Sequence, residues 1–248
     1  MSWSYFLFGM HIYFINALSH AYIQASKCLR GLAVVVLCSC IFKNVHAVVS
    51  SDMLLHIVEQ CTQTNREDYC DKCLAPQATA MCPGKAICRA TSEIWRETSD
   101  FVAMRDIKMC GCPAPFVHGL VLPKSRVTGV EDPKRPEAIW QFAWDMATEK
   151  MPPHEIALAV NPRTRRSQNQ LHVHLVRLKP EFQGKNWEGV TVHTQNLTKV
   201  WELAAGLALA NAMQDYGVLV KSSNKGGYVI VLTAQSPEAL FTQAYCTP

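Results

Sequence analysis

The stretch Asn161 to Leu178, NPRTRRSQNQLHVHLVRL, constrains the fold more than any other. Its second half alternates. Residues i and i+2 of a strand share a face, so His172 and His174 stand on one side, roughly 7 Å apart along the chain. Leu171, Val173 and Leu175 then turn to the other side. Such a strand needs a sheet with one face packed on a core and a second face able to carry chemistry.

Two histidines on one strand face permit three roles. They can be hydrogen-bonded structural residues. They can be two ligands of a metal that takes its third from elsewhere, with His118, His154 and His193 available. Or they can act on phosphorus, because a neutral imidazole is a nucleophile near pH 7. A phosphoryl group repels attack unless its oxygens are neutralised and held in line. Amides and cations stand just before the strand: Asn161, Arg163, Arg165, Arg166, Ser167, Gln168 and Asn169.

The flanking sequence reads as an α+β domain with an antiparallel sheet. Asp52 to Gln60 has Leu54, Leu55 and Val58 on one side of a short helix. Strands are expected at Asp100–Ile107, at Phe116–Leu122 between Pro115 and Pro123, and at Glu155–Val160 leading into Asn161. Ile139, Phe142, Ala143 and Met146 recur at helical spacing behind Pro136 and Glu137, with Trp140 and Trp144 packing on a flank. A loop is expected from Lys179 to about Asn196, then a buried helix over Leu197–Met213. Tyr216–Lys221 and Gly227–Thr233 form a hairpin around Asn224 and the paired glycines. Ser236 caps a last helix that begins at Pro237.

Ahead of the domain, residues 1–47 read as a signal peptide or membrane anchor. Trp3 to Ile23 is uncharged; Lys27 and Arg30 then precede the apolar run Leu32 to Phe42, and Val45-His46-Ala47 offers a cleavage site. Of eleven cysteines, Cys28, Cys38 and Cys40 fall in this leader. Cys61, Cys70, Cys73, Cys82, Cys88, Cys110, Cys112 and Cys246 remain, an even number that reads as a disulfide framework in an oxidising compartment. Cys70-x-x-Cys73 and Cys110-x-Cys112 could each be half a zinc site, but no second pair stands at finger-like spacing. Residues 48–99 are thus expected to be a cysteine-rich extension packed on a domain spanning 100–248. Net charge is +4; without the leader's Lys27, Arg30 and Lys43, 21 basic residues face 20 acidic ones. That balance excludes a global nucleic-acid footprint.

Gln170-Leu171-His172-Val173-His174-Leu175-Val176 resembles the His-φ-His-φ-His-φ-φ signature of the histidine triad superfamily. More specifically, NPRTRRSQNQLHVHL resembles a segment of bacterial CDP-diacylglycerol pyrophosphatases, and the likeness runs from about Asp100 to Thr233. The resemblance implies a histidine-triad-like sheet with flanking helices. It implies hydrolysis of CDP-diacylglycerol in the bilayer to CMP and phosphatidate, with neither metal nor cofactor. His172 takes the nucleophile's place and forms a cytidylyl-histidine, and His174 helps the bridging oxygen leave. Gln168 and Asn169 would hold phosphate oxygens, Asn161 would bind near ribose or phosphate, and Arg163 would add charge. Gln170, and Lys124 from its position after a strand, are further binding candidates. The site would face the periplasm from a bacterial inner membrane. Gln170 departs from the motif, whose first residue is histidine: it can donate and accept hydrogen bonds but cannot relay a proton. The competing readings are a hydrolase or transferase of a soluble nucleotide diphosphate compound and a non-catalytic metal-binding or interaction domain.

Overall fold

The structure, a computed structural model, describes residues 51–185, 187 and 189–246. The leader expected at residues 1–47 lies outside them. Among the described residues the strands are β1 (Ile94–Glu97), β2 (Phe101–Arg105), β3 (His118–Pro123), β4 (Ile156–Val160), β5 (Val173–Arg177), β6 (Thr191–Thr194), β7 (Gly217–Ser222) and β8 (Tyr228–Thr233). They form one sheet in the order β1-β2-β3-β5-β4-β7-β8-β6, antiparallel throughout. The helices are α1 (Met53–Gln60), α2 (Tyr69–Lys72), α3 (Ala138–Thr148), α4 (Val200–Ala210) and α5 (Pro237–Phe241). None of the described helices is long and apolar enough to cross a membrane.

Strand alternation divides the core by face. On one face Ala103, Val121, Leu158, Val173, Leu175 and Val220 pack with α3 and α4, including Trp140 and Trp201. The ring centroids of these two tryptophans lie 4.6 Å apart. The other face carries two separate apolar clusters. Val102, Met104, Leu120 and Leu122 meet Leu54, Ile57 and Val58 of α1 together with Cys61, Tyr69 and Cys73. Towards the far strands, Val176, Leu219 and Val231 meet Leu178, with Phe182, Trp187 and Phe241 packed against them. The cysteine-rich segment therefore has no core of its own; it completes one cluster of the sheet. Burying a leucine-sized side chain is worth about 1.5–3 kcal/mol, so each cluster clamps its covering segment.

The hairpin at β7–β8 forms where the glycines predict it, with Gly226 and Gly227 at positive φ (86° and 66°). A Cβ at Gly227 would lie 2.3 Å from Thr194 O, so a side chain there would push β6 away. Ser236 Oγ accepts from Ala239 N, as the capping signal requires. Two elements depart from expectation. β6 lies inside the stretch expected as a loop, and β1, ahead of the expected first strand, pairs with β2.

The eight cysteines among the described residues form the disulfides Cys61–Cys73, Cys70–Cys82, Cys88–Cys110 and Cys112–Cys246. Neither closely spaced pair bonds to itself, and every one of these thiols is taken, which removes the half-site for zinc. Cys112–Cys246 spans 134 residues and ties the turn after β2 to the C-terminal segment. Both of those segments wall the site.

Candidate active site

Between the two clusters of the second face the sheet turns polar. His174 sits in mid-sheet on β5, opposite Leu120 of β3 and Ala159 of β4. His118 opens β3, and His172 stands just before β5. All three histidines are buried. A cavity of about 680 Å³ opens onto this patch. Leu54, Ile57 and Leu120 line its apolar side; Asp106, Lys108, Asn161, His172, His174 and Glu238 line its polar side.

The hydrogen bonds fix one ring outright. His172 Nδ1 lies 2.7 Å from Gln170 O. A carbonyl only accepts, so Nδ1 carries the hydrogen and Nε2 holds the lone pair. Burial keeps the His172 pKa below the usual histidine value, so the ring is neutral near pH 7. A neutral imidazole with a fixed tautomer, lining a cavity, is a nucleophile or a ligand.

His174 is held between two groups. Its Nδ1 is 3.1 Å from His118 Nε2, and its Nε2 is 3.2 Å from Glu238 Oε2. Burial pushes its pKa well below the ordinary value against the pull of Glu238. Glu238, on α5, accepts from Asn161 Nδ2 at 2.8 Å and pairs with Lys108. Burial alone would raise this carboxyl, but its interactions with His174 and Lys108 bring it down to about 2. For Lys108, burial opposes the charge and the Glu238 carboxylate overrides it, leaving the ammonium above its usual value. Asn161 is locked in turn, since its Oδ1 accepts from Ser236 Oγ at 2.7 Å.

Asp106, His118 and His174 offer ligand atoms within 4.8 Å of one another, enough in number for a metal. Their geometry fits a cation there poorly. The two ring nitrogens are aimed at each other in a hydrogen bond, and Lys108 already sets a positive charge against the neighbouring carboxylate.

His172, His174, Asn161 and Gln168 come together around the cavity. The other four candidates stand elsewhere. The backbone N of Arg163 donates to Asp215 and its side chain is exposed; Arg165 and Arg166 line the cavity instead. Asn169 Nδ2 donates to Ser51 Oγ and Asp52 Oδ1, tying down the start of α1. Lys124 lies at the far end of β3, 2.5 Å from Glu97 Oε1. Gln170 is buried; its Nε2 donates to Pro123 O and Ser125 O, each at 2.8 Å, and its Oε1 accepts from Val127 N. It braces the loop after β3 and presents its backbone carbonyl to His172. Asp106, Lys108, His118 and Glu238 complete the site without a local sequence signal. A glutamate just inside a helix start and an Asp-x-Lys turn are ordinary surface patterns.

These shifts predict an acid response in stability. His118, His172 and His174 have folded pKa values below the usual 6.5, so the unfolded chain binds more protons and stability falls as pH drops below about 6.5. Glu238 continues the loss as pH falls from 4.5 through about 2. Urea midpoints should therefore be level between pH 8 and 7 and decline from 6.5 downward; a midpoint level down to pH 4.5 contradicts the buried neutral histidines.

A family model described as CDP-diacylglycerol pyrophosphatase matches residues 49–185, just over half of the chain. That span holds α1, the disulfide-rich segment and β1 to β5, with His118, Asn161, His172 and His174. The probable CDP-diacylglycerol pyrophosphatase of Mycobacterium leprae (strain TN) is 36% identical over 72 residues, which cover 25% of this chain and 27% of that relative. The chain thus aligns over about a quarter of that relative's length.

Proposed function

Since the chain belongs to the CDP-diacylglycerol pyrophosphatase family, we propose that it hydrolyses the pyrophosphate bond of CDP-diacylglycerol to CMP and phosphatidate through a nucleotidyl-histidine. The observation that carries this reading is the 2.7 Å bond from His172 Nδ1 to Gln170 O, which reserves the Nε2 lone pair of a cavity-lining ring for attack. Nε2 attacks the CMP-side phosphorus; the bond from that phosphorus to the bridging oxygen breaks, and the oxygen departs with phosphatidate. His174, whose ring centroid is 4.8 Å from that of His172, is placed to supply the proton that oxygen needs. Water then attacks the same phosphorus, the P–N bond breaks, CMP leaves, and His172 regains its lone pair.

Asn161 and Gln168 are suited to phosphate oxygens, and Arg165 takes the charge-balancing part expected of Arg163, whereas Arg166 is held by both carboxylate oxygens of Glu131. The domain adopts a histidine-triad-like arrangement in this reading. The apolar wall of Met53, Leu54 and Ile57 beside the polar one suits a substrate that is half lipid and half nucleotide. Residues 1–47 act as signal or anchor, setting the site on the periplasmic side of a bacterial inner membrane. Four disulfides support export to an oxidising compartment.

The test is product analysis with the purified protein and CDP-diacylglycerol in mixed micelles. CMP and phosphatidate should appear in equal amounts. Release of neither product, with turnover of a soluble nucleotide diphosphate compound instead, overturns the lipid assignment.

A further inference from the structure

Besides its histidines, the cavity is lined by one aromatic side chain, Tyr245. That residue is 70% exposed, so its ring is not spent on the core. An exposed ring beyond the last helix has no packing of its own to hold it, and such segments are ordinarily poorly ordered unless tied down. Here both neighbours are tied down over long distances in the chain. The Ala244 carbonyl accepts from His118 Nδ1 at 3.1 Å, and Cys246 is bonded to Cys112. Lys108, which pairs with Glu238, sets its ammonium 4.9 Å from the centre of the Tyr245 ring. The ring is therefore fixed relative to His118, Lys108 and Glu238, the groups that surround His174.

A nucleotide-lipid has three parts to seat, and two have their partners. Leu54, Ile57 and Leu120 offer an apolar wall to the lipid part, and Asn161, Gln168 and Arg165 face the phosphates. The third part is a planar base with a π-face on each side, which gains most from an aromatic plate. Leu54, Ile57 and Leu120 are already packed in their own cluster. Tyr245 keeps most of its surface free beside His172 and His174 in the same cavity. Because the disulfide and the carbonyl bond hold the ring before any ligand arrives, little ordering is left to oppose binding.

We propose that Tyr245 is the plate on which the substrate's base stacks, using the ring surface that Lys108 leaves free. The Cys112–Cys246 bond keeps that plate at the cavity. This inference rests on the pyrophosphatase reading of the site and adds the residue that grips the nucleotide half.

The test compares the parent with Tyr245→Ser and Tyr245→Phe, each as full-length protein in detergent micelles. Calorimetric titration with CMP should show the serine variant binding about fivefold to a hundredfold more weakly, the range for one stacked base. The phenylalanine variant keeps the ring and should stay within about twofold of the parent. Ribose 5-phosphate, which has no base, should bind the parent and the serine variant alike. With CDP-diacylglycerol, Tyr245→Ser should raise KM by a similar factor and leave kcat within about twofold, as loss of uniform binding does. The proposal is overturned if the parent does not bind CMP, if the serine variant binds it as tightly as the parent, or if phenylalanine binds as weakly as serine. Equal weakening of CMP and ribose 5-phosphate also overturns it, since that is what a merely structural role gives. A raised KM with CMP affinity unchanged would make Tyr245 a lipid contact instead, and overturns it too. Should the parent release no CMP from CDP-diacylglycerol, the assigned activity fails, and the CMP titration still decides the plate.

Discussion

His172→Gly is expected to abolish turnover, lowering kcat by about 10⁴-fold or more, the scale seen when a covalent nucleophile is removed from a site that otherwise still binds. Asn161, Gln168 and Arg165 remain, so KM should change little. The fold should survive. The lost ring leaves one backbone carbonyl, Gln170 O, without its partner, a cost of about 1–3 kcal/mol. The space left also suits free imidazole, which should restore part of the CMP release. CMP release in the presence and absence of imidazole, with a thermal melt as fold control, checks all of this. Wild-type turnover by the glycine variant would move the nucleophile to another residue.

Glu238→Ala should be the most damaging substitution for stability among the site residues. Glu238 is 5% exposed, a burial at which its partners cannot turn to water instead. It accepts from Asn161 Nδ2, pairs with Lys108 and faces both His118 and His174. Removing one member of a buried ion pair leaves its partner charged and uncompensated, at a cost of about 3–5 kcal/mol. Glu238→Gln keeps an acceptor for Lys108 and a donor for the ring nitrogen, so it should lose less. Urea denaturation at pH 7.5 should rank the parent above Glu238→Gln and Glu238→Gln above Glu238→Ala. An alanine variant as stable as the parent would mean that Lys108 and Asn161 find other partners. Both variants should also turn over slowly, because α5 then no longer orients Asn161 and His174.

What the sequence made legible follows from how local each signal is. The alternation Leu171-His172-Val173-His174-Leu175 assigns faces, and the sheet obeys it: the aliphatic residues enter the helix-covered core and the histidines enter the cavity. Ser236 and Pro237 mark a helix start that a few residues suffice to specify. The strands that escaped notice, Ile94–Glu97 and Thr191–Thr194, are sheet edges with partly exposed faces, where the hydrophobic pattern weakens because little must be buried. Site residues divide in the same way. His172 and His174 announce themselves by spacing. Asn169 and Gln170 sit beside them in sequence, yet one ties down the start of α1 and the other braces the loop after β3. Closeness in sequence at a turn does not fix where a side chain points. Asp106, His118 and Glu238 lie 54 to 66 residues from His172 in the chain and reach the site only through sheet register and the seating of α5. Disulfide pairing was equally nonlocal, and the geometry resolves it as 61–73, 70–82, 88–110 and 112–246.

The central claim is that His172 Nε2 forms a bond to the CMP-side phosphorus. The most direct measurement is a single-turnover quench with CDP-diacylglycerol radiolabelled at that phosphorus, followed by peptide mapping. The account predicts label on the peptide containing His172, stable to alkali and labile to acid as a phosphoramidate is. The label should appear before CMP and decay as CMP forms, and it should be absent from His172→Gly. CMP release at full rate with no protein-bound label at any time, or label on a residue other than His172, would contradict it.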